Sequence, residues 1–173
     1  CNRGSRVIFD SFRSHLESLE AAGELPRESH PLHIHGCPGA GPALLAAALL
    51  DRGRPAVVLV VDSPSLAESA LTDLLTGAGM NDARLLPQRE TRPFEDSDPH
   101  VEITSQRADA FSALLSGRTR LVVTTPRGLV ERSPVAAQGE DFAVPLRQGD
   151  TWSRSVLAER LRRMGFDSAA SVQ

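Results

Sequence analysis

Lysine and tyrosine are both missing from these 173 residues, and all 19 basic side chains are Arg. Without Lys there is no Schiff-base chemistry and no phosphate-loop cation of the G-x-x-x-x-G-K-[ST] kind. Without Tyr there is no phenol to serve as general acid or stacking platform. Cysteine is scarce: Cys1 and Cys37 allow at most one bridge, nothing else suggests secretion, and both read as free thiols. No apolar run approaches the roughly 18 residues that a membrane span needs, and no charged start leads into an apolar signal core. The expectation is a cytoplasmic protein with no membrane contact. Positive charge is not in excess either. A formal net charge of −3 leaves nothing to track a phosphate backbone, so DNA binding is expected to be weak and any contact local.

What is present is an ordinary globular composition, long enough to bury roughly 70 % of the unfolded surface in one core or a core and a half. The chain starts at Cys1 without Met and stops at Ser171-Val172-Gln173 with no helix or tail signal, which reads as a piece of a longer protein. Residues 5–22 carry Val7, Ile8, Phe12, Leu16 and Leu19 at helical spacing. Residues 32–35 read as a short strand running into the turn Gly36-Cys37-Pro38-Gly39-Ala40-Gly41. Pro42 suits a helix first turn, and residues 42–50 are apolar on every side, which predicts a buried helix.

The β-branched run 56–61 predicts a strand covered on both faces. Helix 65–76, strand 83–86, helix 102–115 and a buried strand 121–125 follow. This alternation predicts an α/β fold with an open, doubly wound parallel sheet. Residues 133–141 read as a connection, 142–146 as a strand, 153–164 as a helix capped by Ser153, and 166–172 as the start of another strand. Phe9, Phe12, Phe111 and Phe166 are expected in the core. The domains are therefore read as 1–133 and 134–173, the second being a linker and the beginning of a small α+β domain.

A Gly-rich turn between strand and helix is where backbone N–H groups and the helix dipole converge on an anion. Here Gly36, Gly39 and Gly41 keep that shape. Pro42 stands where the phosphate-binding Lys belongs, and Ala43 where the Mg²⁺-binding hydroxyl belongs. The loop is thus read as a degenerate phosphate loop with no cofactor. The alternative is a nucleotide-binding enzyme domain that replaces Lys by an Arg from elsewhere, such as Arg107 or Arg127. His33, His35 and Cys37 alternate, with His30 upstream, as soft metal ligands would; they equally describe a polar surface strand. Glu90, Glu95, Asp96 and Asp98 beside His100 could form an acid/base or metal site or a salt-bridge network, with Arg107 expected to pair with Glu90 or Asp96. Arg160, Arg162 and Arg163 read as the solvent face of the last helix or as a partner contact.

Glu90-Thr91, Pro93-Phe94-Glu95, Pro99-His100, Glu102-Ile103, Ser105 and Arg107 resemble the W-E-T-L-P-Y-D, S-P-H, D-I-x-S-x-R-L string of bacterial transcription-repair coupling factors. Residues 122–126 with Leu129 and Arg132, then Leu146-Arg147, Gly149, Ser153-Arg154, Leu161 and Gly165-Phe166, resemble its continuation. The likeness runs from about residue 32 to 172; Arg89, Arg92 and Ala108 replace the family's Trp, Leu and Leu. It implies the N-terminal module related to the excinuclease B subunit, with a RecA-like fold whose phosphate loop has decayed. It further implies no catalysis and no metal in this segment, and structural roles for Glu90, Pro93, Pro99, His100 and Arg107. The parent would be an ATP-dependent DNA translocase. Its motor would hold ATP and Mg²⁺, and other parts of it would contact RNA polymerase, the excinuclease A subunit and DNA. This segment's own partners would be other domains of the same chain.

Overall fold

The computed structural model describes residues 3–21, 33–90, 100–131, 144, 146–164, 166 and 168. The chain divides into two compact units, Cys1–Glu131 and Arg132–Gln173. In the first, helix α1 (Arg3–Ala21) precedes α2 (Gly41–Asp51), strand β1 (Val57–Val60), α3 (Pro64–Thr72), β2 (Arg84–Leu86), α4 (Val101–Leu115), β3 (Leu121–Thr124) and the short α5 (Pro126–Val130). In the second, α6 spans Arg154–Arg163.

The helix starts follow local chemistry. Ser63 accepts a hydrogen bond from the Leu66 N–H and Thr125 from the Gly128 N–H, each just ahead of a Pro at the first helical position. Ser153 occupies the same position before α6, but its hydroxyl meets that of Ser155 rather than the backbone. Helix α3 does not run regularly to residue 76. It widens into a π turn at Asp73–Gly77, where the Ala78 N–H reaches back to the Asp73 carbonyl.

Among the described residues the three strands are parallel, in the order β1-β3-β2. Passing from β1 to β2 crosses beyond β3, and passing from β2 to β3 turns back. Right-handed crossovers therefore put the intervening helices on opposite faces. One face carries Val57, Leu59, Leu121 and Val123, packed with Phe9 and Leu16 of α1, the Ala/Leu run of α2, and Ala67, Ala70 and Leu74. The other carries Leu86 and Val122 against Ala110, Phe111 and Leu114 of α4.

The sheet is smaller than the sequence predicts. Residues 33–35 form no strand: His33, Ile34 and His35 are exposed, and this polar alternation has no apolar face to press on a neighbour. Leu32 lies outside the described residues. The strand read at 56–61 is covered on one face alone, since Val58 and Val60 are 53 % and 41 % exposed. Along α1 Phe9 and Leu16 are buried and Phe12 half-buried against them, with Val7 and Ile8 turned outward. Phe166 is exposed rather than in a core. Val144 and Leu146 are not in a strand; the rest of 142–146, and most of 166–172, lie outside the described residues.

Candidate functional site

Two places were singled out by residue type: the Gly-rich turn before α2 and the polar stretch after β2. In the turn, Gly36 (φ 73°) and Gly39 (φ 60°) take left-handed backbone that other residues adopt at a cost. Gly41 is needed for a different reason, because a Cβ there would collide with Cys37 Sγ, folded back over the helix start. The Gly41 N–H donates to the Pro38 carbonyl at 3.2 Å, and the Leu44 N–H to the Ala40 carbonyl at 3.0 Å. Pro42 has no N–H, and Ala43 is 1 % exposed. Of the first-turn amides, that of Gly41 is thus committed within the turn, Pro42 offers none and that of Ala43 is buried, and no side chain caps the helix. His33 and His35 are exposed, Cys37 is a half-buried free thiol, and His30 lies outside the described residues. Among the described residues no group of three or more His, Cys, Asp or Glu is arranged to hold a metal.

The carboxyl ends of β2 and β3 hold a denser arrangement. Arg107 of α4 is 5 % exposed, lies over the Phe111 ring at 5.8 Å, and donates to the Pro87 carbonyl just past β2. Its Nη1 stands 3.2 Å from Glu131 Oε2. Glu131, at the end of α5, also accepts the Arg89 backbone N–H on both oxygens, at 2.9 and 3.1 Å, and Arg127 Nε at 3.1 Å. Gln88 accepts from the Thr125 hydroxyl at 2.8 Å, and the Thr124 hydroxyl donates to the Leu86 carbonyl at 2.8 Å. Burial pushes the Arg107 guanidinium below its ordinary range, opposed by Glu131 and helped by Arg89. An arginine so placed still carries its charge at neutral pH. The network joins α4, α5 and the chain leaving β2 through one carboxylate.

Among the described residues the carboxylate beside Arg107 is Glu131 rather than Glu90; the other expected partner falls outside them. Asp96 lies outside the described residues, as do Pro93, Glu95, Asp98 and Pro99. His100 caps α4, its Nδ1 accepting from the Glu102 N–H at 3.4 Å. A sequence signal for Glu131 exists, an Arg127/Glu131 pair one helical turn apart after Thr125-Pro126.

Beside this network a crevice of about 330 Å³ opens between α3 and α4 at the strand ends, where open α/β sheets commonly bind ligands. Glu68, Glu90 and Glu102 line it with Gln88, Gln106 and Thr125. Three carboxylates repel a polyphosphate, and among the described residues no Ser, Cys or His lines the crevice. In the second unit, Arg162 and Arg163 are exposed and pair with Glu159, while Arg160 is half-buried. No helix among the described residues is long and apolar enough to cross a membrane. No family model matches the chain, and no curated protein matches it.

Proposed function

We propose that this chain is a non-catalytic scaffold segment of a transcription-repair coupling factor. Its parent would displace stalled RNA polymerase with an ATP-driven DNA translocase and recruit excision-repair proteins. In this reading the segment is a RecA-like module that has lost its nucleotide. It holds the neighbouring domain and masks a repair-protein surface until the motor engages. The family comes from the resemblance of 90–107, 122–132 and 146–166. The observation that supports the non-catalytic role is the helix start itself: the Gly41 amide committed within the turn, Pro42 without one, Ala43 buried.

Losing the Lys, the metal hydroxyl and one amide removes several charge-assisted contacts of about 1.5–3 kcal/mol each. About 5 kcal/mol is already a several-thousand-fold loss of affinity. Millimolar ATP with Mg²⁺ is therefore expected to leave the melting temperature unchanged, and a rise of several degrees would overturn the scaffold reading in favour of a nucleotide-binding domain. The parental assignment is tested by the full open reading frame. A downstream ATPase motor supports it, and a frame without one removes it.

A further inference from the structure

Among the described residues nothing guards the outer side of β1. Val57 and Val61 donate their N–H groups to the Arg120 and Thr124 carbonyls of the β3 side, at 2.8 and 2.9 Å. In a parallel ladder this parity directs residues 57, 59 and 61 inward and leaves the N–H and C=O of 58 and 60 pointing away from the sheet. Among the described residues nothing bonds to them. From Ala56 to Val61 there is no charge, proline or bulge of the kind that normally blunts an edge. The Val58 and Val60 side chains are themselves exposed, on the face where α4 packs against β2 and β3.

We propose that a second copy of this chain pairs with β1, antiparallel about a two-fold axis, to give a continuous six-stranded sheet. Axes through a residue close the backbone, and the one at Val58 also sets opposite charges against each other beyond both ends of the strand. With the axis at Val58, residues 56, 58 and 60 of each copy face outward-pointing residues of the other, so the hydrogen bonds close. Pro55 falls at an inward position, where its missing N–H does not interrupt the pairing. The same register sets Arg54 opposite Asp62 at both ends. Both are exposed, and neither makes an ion pair among the described residues. An axis at Leu59 also closes the backbone but sets Arg54 against Pro64 and Asp62 against Ala56. An axis between two residues sets outward groups against inward ones and closes nothing. A symmetric contact of this isologous kind is the commonest route to a homodimer.

The pairing covers less than the ~800 Å² per partner of a standard interface, so a dissociation constant of ~10–100 μM is expected. Sedimentation equilibrium of the 173-residue chain from ~5 to ~300 μM should show the mass rising from monomer toward dimer. Val58→Lys and Val60→Lys should each keep the monomer over that range. Arg54→Glu and Asp62→Arg should each weaken dimerisation by ~5-fold or more, and the double exchange should restore it. These two positions lie outside the core, so their variants report on association even where a strand variant perturbs folding. A chain that stays monomeric throughout overturns the proposal and assigns the edge to another occupant. So does a dimer indifferent to the lysines, or a charge exchange that fails to rescue.

Discussion

The two edges of the sheet are built in opposite ways. On the β2 side the strand is three residues long, and Arg84 closes it: Nη1 donates to the Ala83 carbonyl at 3.0 Å while Nε bridges to Asp109 of α4 at 3.0 Å. The chain leaving that strand is then pinned at Pro87 and Arg89 by Arg107 and Glu131. On the β1 side four apolar residues run between Ala56 and Val61, and among the described residues no such device closes them and no helix covers Val58 and Val60. Charge and short length on an edge discourage pairing with other chains, and their absence permits it. The contrast teaches that Arg84, Arg107 and Glu131 fasten the β2 edge and the chain leaving it, a fastening that β1 lacks among the described residues.

The largest test of that contrast is Arg107→Ala. It strips a half-buried carboxylate of a buried partner and frees the Pro87 carbonyl, so the chain should lose about 3 kcal/mol in urea unfolding. Faster amide exchange at Arg89, whose N–H rests on Glu131, should accompany the loss. An unchanged unfolding curve would mean that the β2 side is no better fastened than the β1 side.

Next in size is Gly128→Ala. A Cβ at Gly128 would lie 2.6 Å from Thr124 Oγ1 and 3.1 Å from the Leu86 carbonyl, two atoms already joined by a hydrogen bond. The added methyl has to push α5 off the strand ends, an overpacking cost of about 1–3 kcal/mol. The same urea titration measures it, and a neutral result would show that the β2 end can relax as an open edge would.

How far this architecture could be read in advance depended on the range of the interaction. Helix α2 was legible because Pro42 and the Ala/Leu run act on their own backbone; the short α5 went unread, although Thr125 and Pro126 mark its start. β3 was legible because Leu121 to Thr124 is buried throughout, as a continuous apolar run suggests. The same kind of run misled at β1: Val57 to Val60 spells a covered strand whether or not a helix lies over it, and the number of neighbours is not written locally. Residues 33–35 alternate as a strand would, yet alternation of His and Ile supplies no apolar face. In the candidate site Arg107 stood out by residue type. Its partner did not, because Glu131 comes from the far side of β3 and meets Arg107 only once the sheet has formed. The donor pattern of the Gly-rich turn was half legible: Pro42 could be read, while the fold of Cys37 over Gly41 is tertiary.

The smallest effect gives the finest comparison, because Val58 and Val122 are register partners on one face of the sheet. Val→Thr keeps the shape of the side chain and its β preference, and changes one methyl to a hydroxyl. At Val122, 2 % exposed beneath α4, that hydroxyl leaves water without an assured partner, and about 1–2 kcal/mol should be lost. At Val58, 53 % exposed, the hydroxyl stays hydrated, and less than about 0.5 kcal/mol should change. Both are to be measured at a few micromolar, below the ~10 μM at which pairing through β1 would begin to contribute. Equal losses at the two positions would mean that Val58 is covered in solution even at that dilution, and that the edge described as open is already occupied.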